Sequence, residues 1–300
     1  MSLILFSPDA AVPSIISAIS ADADFRGLVT NWLILMTAVS LLCFIVSEIT
    51  RNYSQVDKLW SLMPVFYSLI TLSAYQSPRL YIMSILVAVW GFRLTWNFGR
   101  KGGYSLIPWQ GEEDYRWKIL REHPYFKSRF KFGLFNLFFI SFYQNILILL
   151  FSTPLLLAAL YPGQPLVITD SVAVVLMLGF IILETVADNQ QYRFHQEKKG
   201  LIGKEEVIYS KSLKNGFLSE GLWAYSRHPN FAAEQAIWVA FYLFGVAASG
   251  RWLNPALTGA VLLILLFAGS SWLTEWISSS KYPVYNDYRK KVARFIPFFK

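Results

Sequence analysis

Long runs of apolar residues, separated by shorter polar stretches, dominate this chain. A helix that crosses a membrane needs about 20 predominantly apolar residues, and seven stretches of the chain approach that length. These candidate spans cover about 28–48, 58–76, 79–98, 133–160, 167–187, 231–248 and 254–277. The pattern predicts an all-α integral membrane protein with about seven transmembrane helices.

The composition supports the same class. Of the 300 residues 55% are hydrophobic and 17% are aromatic, and the mean hydropathy is +0.40. Residues 1–27 are mixed in character and contain Asp9, Asp22 and Asp24, so we interpret them as a short N-terminal tail rather than a basic cleavable leader. Because no repeat or low-complexity linker divides residues 28–300, we expect them to form a single membrane domain.

The basic residues predict an orientation. Lys and Arg close to the ends of spans are retained on the cytoplasmic side, and they concentrate in 99–132, in 188–230 and in the C-terminal tail. The opposite face would carry only Arg26, Arg79 and Arg251. We therefore expect an N-terminus outside or in the lumen and a cytoplasmic C-terminus, in the endoplasmic reticulum of a eukaryote or the inner membrane of a bacterium.

The same asymmetry accounts for most of the net charge of +8, so nucleic acid is not an expected partner. The expected partners are membrane lipids and a lipid-like small molecule. The single cysteine, Cys43, excludes a disulfide framework, and the three histidines at 123, 195 and 228 are too scattered to predict a metal site.

The segment before the sixth predicted span carries the densest group of polar residues. Pro229 suits the first turn of a helix, and the N-terminus of that helix would attract an anion together with Arg227 and His228. Asn230 and Glu234 would share one helix face, with Glu234 at a depth where an unpaired carboxylate costs about 2.5 kcal/mol or more. This arrangement indicates a ligand site; the alternative is a helix cap with a snorkelling Arg.

Three further groups of polar residues are candidates for chemistry. The first is a stripe spaced for one helix face at the end of the fifth span, namely Glu184, Asp188, Gln191 and His195. A solvated helix end, with Asp188 paired to Arg193 or Lys198, is the alternative. The second group is Asp57 with Trp90 and Arg93. These residues could act on a substrate, or Asp57 and Arg93 could form a structural ion pair between helices. The third surrounds Glu275 near the end of the last span, followed by tyrosines and basic residues that could equally anchor the chain at the membrane interface.

Taken together these motifs resemble the steroid 5α-reductase C-terminal family, and more narrowly its branch called DUF1295. The resemblance covers about residues 50–300 and is strongest from 184 onward. The residues that carry it are Asp188, Gln190, Phe194, Tyr225, Ser226, Arg227, His228, Pro229, Asn230, Phe231, Glu234, Glu275, Lys281, Tyr282, Pro283, Tyr288, Ile296 and Pro297.

The resemblance implies a membrane oxidoreductase that acts on a CH–CH group with NADPH. In that family hydride passes from the nicotinamide to the β-carbon of a conjugated carbonyl in a hydrophobic steroid- or isoprenoid-like lipid, while polar groups activate the carbonyl. The cofactor-binding part would be about residues 184–300. Asn230 and Glu234 match the residues that hold the nicotinamide end, and Asp188, with Glu184 in place of the family's Asn, matches the dinucleotide-binding helix.

Two sets of site residues are predicted. The cofactor-binding set is Glu184, Asp188, Gln191, His195, Tyr225, Arg227, His228, Asn230, Glu234, Lys281, Tyr282 and Tyr285. The set that would shape or activate the substrate is Asp57, Trp90 and Arg93.

The chain departs from the family pattern on the substrate side. Trp90 replaces a tyrosine that stands beside the Arg matched by Arg93, and the neighbourhood of Asp57 and Lys58 replaces an early Gln-Glu pair. Isoprenylcysteine carboxyl methyltransferases share the His-Pro segment and bind S-adenosylmethionine there, so lipid methyl transfer is an alternative, as is a non-catalytic lipid-binding relative. The abundance of Arg and Lys near the predicted mouth favours a cofactor with phosphates.

Overall fold

A computed structural model describes residues 15–297 apart from Pro108, and this part of the chain is built from helices. The α-helices are α1 (Ile15–Ala21), α2 (Ala23–Thr50), α3 (Gln55–Leu59), α4 (Met63–Ala74), α5 (Pro78–Arg100), α6 (Tyr115–Glu122), α7 (Arg129–Phe135), α8 (Gln144–Ser152), α9 (Pro154–Leu160), α10 (Ile168–Lys198), α11 (Ser210–Asn215), α12 (Pro229–Ser249), α13 (Leu257–Lys281) and α14 (Tyr285–Lys291). Short 3₁₀ turns occur at Pro124–Phe126, Lys204–Glu206 and Gly221–Ala224.

Six helices within the described residues are long and apolar enough to cross a membrane. They are α2, α5, the continuous helix Arg129–Ser152, α10, α12 and α13. These helices confirm the predicted class, an all-α protein with several membrane spans.

The second predicted span, 58–76, differs from the others. The structure breaks this stretch after α3, and the apolar helix α4 has 12 residues, which gives a length of about 18 Å against a hydrocarbon core of about 30 Å. Pro64 lies in the first turn of α4, where its missing N–H is tolerated although it could not continue a preceding helix. Within residues 15–297 there are therefore six long helices and a shorter apolar one, where the sequence predicted seven spans.

The third long helix is not a regular α-helix along its whole length. Between α7 and α8 the residues Asn136–Tyr143 form a π-helix. Pro154 then begins α9, so the predicted span 133–160 is divided between two helices. The proline explains the division, because its ring cannot be accommodated inside a continuing helix.

The chain forms two compact units. Of the described residues, the first unit contains 15–175 together with Val239–Val261, and the second contains Leu176–Trp238 and 262–297. The interior of the first unit includes the rings of Trp32 and Tyr67, whose centroids are 4.4 Å apart. A Cβ atom on Gly259 would clash with the backbone of Leu150, so a glycine permits the close approach of two helices there.

A buried ion pair fastens the start of α5 to the start of α10 in the first unit. Arg79 Nε lies 2.8 Å from Asp170 Oδ1, and Arg79 Nη2 lies 2.9 Å from Asp170 Oδ2. Arg79 also donates to the main-chain carbonyls of Gln164 and Pro165. Arg79 is only 1% exposed, because its charge is neutralised and its donors are satisfied inside the protein.

The predicted N-terminal tail falls partly outside the described residues, since 1–14 are not among them. From residue 15 the tail is helical: α1 is followed by α2, which begins at Ala23. The Asp22 carboxylate caps α2 by accepting hydrogen bonds from the backbone N–H groups of Asp24 and Phe25. The first membrane helix thus starts five residues earlier than the predicted boundary at 28.

Candidate functional site

The candidate site lies in the second unit, where the segment before α12 pairs with the C-terminal tail. Ser226 and Ala293 form an isolated parallel β-bridge. The backbone N–H of Arg227 donates to the carbonyl of Ala293 at 2.8 Å, and that of His228 donates to the carbonyl of Arg294 at 3.1 Å. Helix α12 begins at Pro229, as predicted.

The carboxylate of Glu275, on α13, stands at the centre of this site. Its Oε1 atom lies 2.8 Å from Arg227 Nε and 3.2 Å from His228 Nε2. Arg294 Nε is 3.4 Å from the same oxygen, and Arg289 Nε is 3.4 Å from Oε2. Glu275 is only 1% exposed, so it acts as a buried counter-ion for several basic groups. We call these five residues the Glu275 cluster.

The Glu275 cluster carries an excess of positive charge. Three guanidinium groups face one carboxylate, and Arg227 is itself buried and also donates to the carbonyls of Arg289 and Val292. The side chains of Arg289 and Arg294 are 39% and 36% exposed. Glu275 therefore does not fully compensate the positive charge of these two arginines, and they can bind an anion from outside.

The imidazole of His228 is buried in the Glu275 cluster and stacks on Phe231, with ring centroids 5.4 Å apart. Burial lowers the pKa of His228 below its ordinary value of 6.5, although the hydrogen bond to Glu275 acts in the opposite direction. The positive charges of Arg227 and Arg294 lower the pKa further. His228 is accordingly neutral in the folded protein at pH 7.

We expect acidification to destabilise the protein through His228. In the unfolded chain this histidine takes up a proton near pH 6.5, whereas in the folded protein it does so only at lower pH. The unfolded state thus binds more protons in the interval between these two pKa values, and stability falls as pH is lowered through it. We would measure thermal unfolding in detergent at pH 7.5 and at pH 5.5, which lie about one unit above and below the pKa of a free histidine. Between these pH values His228→Gln should lose less thermal stability than the wild type. Equal losses would contradict this assignment.

The predicted stripe lies on the helix α10, and the exposure of its side chains increases toward the C-terminal end of the stripe. Glu184 and Asp188 are buried, Gln191 is half-buried and His195 is exposed. Asn230 Nδ2 donates to Asp188 Oδ1 at 3.4 Å, so the structure brings this stripe next to the start of α12. On the same helix Arg193 pairs with Glu197 at 3.2 Å, and Lys198 donates to Tyr282 at 3.0 Å; the pairing of Asp188 with either basic residue stays a prediction.

Asn230 and Glu234 occupy the first two turns of α12, as their spacing predicted. Glu234 is buried, and its Oε1 atom accepts a hydrogen bond from Trp238 Nε1 at 3.2 Å. Asn230 Oδ1 is buried and has no hydrogen-bond donor among residues 15–297. An oxygen in that state is suited to a donor on a ligand, because an unmade hydrogen bond is costly inside a protein.

The terminal tyrosines have three different environments. Tyr225 is 67% exposed, whereas Tyr285 is buried, and burial raises the pKa of Tyr285. For Tyr282 burial also acts to raise the pKa, but the hydrogen bond and charge of Lys198 and the charge of Lys281 outweigh it, so the pKa falls below the usual range. The ammonium group of Lys281 lies over the Tyr282 ring, 5.5 Å from its centroid.

The predicted substrate residues belong to the first unit. Asp57 is on α3, and its Oδ2 accepts a hydrogen bond from Trp117 Nε1 at 3.0 Å. Trp90 is fully buried and Arg93 is half-buried, both on α5. The pKa of Asp57 is raised by burial and by the neighbouring charge of Asp114. The pairing of Asp57 with Arg93 stays a prediction.

The structure adds residues that were not in the predicted site sets. Glu275 was noticed as a carboxylate near the end of an apolar span, but the prediction did not make it the centre of the site. Arg289 and Arg294 lie on α14 and beyond it, among several basic residues of the tail. A carboxylate in an apolar helix requires a counter-ion, and this requirement could have directed attention to the basic tail.

The fold and the membrane helices define this chain as a multi-pass integral membrane protein. The family described as "Protein of unknown function (DUF1295)" matches residues 43–293, and the chain belongs to this family. A protein of Schizosaccharomyces pombe described as uncharacterized is 38% identical over 264 residues, which cover 84% of this chain and 74% of the relative. No solved structure matches the chain.

Proposed function

We propose that this protein is a membrane reductase that uses NADPH to reduce a C=C bond in a hydrophobic, steroid- or isoprenoid-like lipid with a conjugated carbonyl. The observation that carries the proposal is the Glu275 cluster, in which three arginines share one carboxylate beside the start of α12. A surplus of guanidinium groups at a helix N-terminus suits a ligand with several phosphate charges. The resemblance to steroid 5α-reductases supplies the reaction class.

The residues of the second unit fit the cofactor by their chemistry. Arg289 and Arg294 would bind phosphate oxygens, since their side chains are partly exposed and their charges are shared with one acid. Asn230 Oδ1 would accept a hydrogen bond from an amide or a ribose hydroxyl, and Asp188 holds the Asn230 side chain in position. Glu234, fixed by Trp238, would accept from a further donor at the same end.

When bound, NADPH supplies a hydride ion to the alkene. The protein must then orient the lipid, exclude water and provide a proton for the adjacent carbon or carbonyl oxygen. Asp57 suits the proton-donating role, because its raised pKa keeps a larger fraction of the carboxyl protonated at neutral pH. Trp90 and Arg93 would offer N–H donors to a carbonyl oxygen.

The charge of the Glu275 cluster also argues against the methyltransferase alternative. S-adenosylmethionine carries a positive sulfonium and no phosphate, so uncompensated arginines attract it less than they attract NADPH. The excess of arginines thus favours the reductase.

The first test is thermal stability of the detergent-purified protein with NADPH, NADP⁺, NADH or S-adenosylmethionine. A ligand at 100 times its Kd raises the free energy of unfolding by about 2.7 kcal/mol, which a melting experiment detects. We expect stabilisation by NADP(H), followed by turnover in a screen of enone lipids. Stabilisation by S-adenosylmethionine alone would point to methyl transfer, and NADP(H) binding without turnover would indicate a non-catalytic relative.

Arg294→Gln should weaken NADPH binding about 10- to 100-fold, the range expected for the loss of a charged hydrogen-bonding group. Lys290→Gln is the matched control, because it removes one positive charge from the same tail at a side chain that is 77% exposed and 3.5 Å from Asp287. Titration of each variant with NADPH compares the two. Equal affinities would remove the Glu275 cluster from the cofactor site.

A further inference from the structure

The tail that follows the last membrane helix carries positive charge on the surface of the second unit. Residues 281–297 contain five basic side chains and one acidic side chain. Two neighbouring lysines of α14, Lys290 and Lys291, are exposed, and we call them the tail lysines. Lys290 lies 3.5 Å from Asp287, but these two side chains are 77% and 70% exposed, so their pairing is weak. The tail lysines therefore leave positive charge on the surface.

Few acidic side chains of the second unit reach its surface. Within the described part of this unit the exposed acids are Glu205, Glu206 and Asp287. Most of the others are buried and serve donors or cations inside the unit, as Glu275 does for Arg227 at 2.8 Å. The buried acids are Glu184, Asp188, Glu197, Glu234 and Glu275. The surface of the unit is therefore more basic than its composition indicates.

The tail lysines lie beside the end of α13, because α14 folds back along that helix. Arg289, which directly precedes them, lies 3.4 Å from Glu275 and also donates to Ser279 Oγ at 3.4 Å. Both of these partners belong to the last two turns of α13, which ends at Lys281. The tail lysines are thus close to the level at which α13 ends.

Two tryptophans mark the depth of the membrane surface along α13. Trp272 and Trp276 are four residues apart, so they share one face of the helix, and they are 61% and 47% exposed. Exposed tryptophans of membrane helices concentrate at the boundary between hydrocarbon and headgroups. The headgroup region is about 5–8 Å thick, which is about the rise of the helix from Trp276 to Lys281. The tail lysines therefore lie at the depth of the lipid headgroups.

Helix α14 is held firmly against the rest of the second unit. The ring of Tyr285 is buried, and its centroid lies 4.9 Å from that of Phe217. The hydroxyl group of Tyr288 donates to the carbonyl of Trp223 at 2.5 Å. Because these tyrosines fix the backbone of α14, the tail lysines need little further ordering when they bind a ligand.

We propose that the tail lysines and Trp276 form a surface that binds membrane lipids with a net negative headgroup. The two ammonium groups contact the headgroup, and the exposed indole of Trp276 packs against the adjoining acyl chain. The charge selects the class of lipid, since a zwitterionic headgroup carries its own cation beside the phosphate. The depth selects a lipid over a dissolved anion, because Trp276 places the surface at the edge of the hydrocarbon.

This surface is separate from the proposed cofactor site. The cofactor proposal uses Arg289 and Arg294, which share Glu275, whereas the lipid surface uses the two lysines that lie outside the Glu275 cluster. A lipid preference without NADPH binding would contradict the cofactor proposal alone. NADPH binding without a lipid preference would contradict the lipid surface alone.

The experiment measures the binding of individual lipids to the full-length protein in detergent by native mass spectrometry. The probes are phosphatidylglycerol and phosphatidylcholine with the same acyl chains. One lysine near a membrane surface contributes about fivefold to the affinity for an anionic lipid. The wild type should therefore bind phosphatidylglycerol about 10- to 30-fold more tightly than phosphatidylcholine. Equal affinities for the two lipids would overturn the proposal.

Variants locate the preference. Lys290→Gln combined with Lys291→Gln should bring the affinity for phosphatidylglycerol close to that for phosphatidylcholine and leave NADPH binding unchanged. Lys199→Gln combined with Lys211→Gln is the matched control, because it removes the same charge from exposed lysines of the same unit that lie outside the tail. This control should keep the preference. A preference that persists in the first variant, or that both variants lose equally, would overturn the proposal.

Two further measurements protect the test. Lys290→Arg combined with Lys291→Arg keeps the charge and should keep the preference, and its loss there would show that something other than charge is recognised. Glycerol phosphate, the soluble fragment of the anionic lipid, should bind far more weakly than phosphatidylglycerol. Equally tight binding of this fragment would mean that the surface takes up dissolved phosphate groups and not lipid.

Discussion

The Glu275→Gln variant is expected to be about 3–5 kcal/mol less stable than the wild type and to lose its affinity for NADPH. Glu275 neutralises Arg227 inside the second unit, where Arg227 is 9% exposed and lies 2.8 Å away. Removing one partner of a buried ion pair leaves an uncompensated charge, and the cost is of this order. Arg289 and Arg294 would also lose the acid that holds their guanidinium groups in place.

Asp287→Asn is the control for Glu275→Gln. It removes one negative charge only twelve residues away, but the Asp287 and Lys290 side chains are 70% and 77% exposed. Exposed pairs contribute about 0–1 kcal/mol, so this variant should unfold almost as the wild type does. Chemical or thermal unfolding in detergent measures the difference. Similar stabilities of the two variants would show that Glu275 is not the centre of a buried charge cluster.

The second large effect is expected from Asp170→Asn in the first unit. Arg79 and Asp170 form two hydrogen bonds of 2.8 and 2.9 Å, and both residues are almost completely buried. With the charge of Asp170 removed, Arg79 would remain inside the protein without a counter-ion, so we expect a loss of about 3–5 kcal/mol. The variant should show this loss in unfolding experiments whether or not a cofactor is present.

A double variant distinguishes the stability that the ion pair contributes from the stability that comes from burying its two side chains. Replacing both groups, as Arg79→Met with Asp170→Leu, removes the charges together, and such replacements are often close to neutral. The double variant should accordingly be more stable than Asp170→Asn. The double-mutant cycle of Arg79→Met, Asp170→Leu and their combination should give a coupling energy of at least about 1 kcal/mol. Additive losses would mean that the pair contributes little beyond the size of its side chains.

Much of the fold was predictable because a helix that crosses a membrane needs a long run of apolar residues. Helices α2 and α12 begin and end within a few residues of the apolar runs that predicted them, since hydrocarbon excludes most polar residues. The short helix α4 and the division at Pro154 were not predicted. Both depend on prolines inside an apolar run, where hydropathy alone does not mark the end of a helix.

The candidate site was predictable in its local parts and not in its centre. The spacing of Asn230 and Glu234 and the start of α12 at Pro229 follow from helix geometry. The contact between Arg227 and Glu275 joins residues that are 48 positions apart, and it depends on the pairing of residue 226 with 293. No periodic pattern encodes such a distant pairing, although the isolated carboxylate in an apolar helix indicated that some cation had to reach it.

The π-helix at Asn136–Tyr143 has a consequence for how this sequence should be compared with others. A π-helical turn holds more residues than an α-helical turn, so each such segment is equivalent to an insertion that is absorbed without breaking the helix. A relative with a regular α-helix at this position would be shorter by a residue or more, and an ungapped alignment would assign its residues to the wrong helix face. Correspondences beyond residue 143, along α8, therefore depend on where the gap is placed.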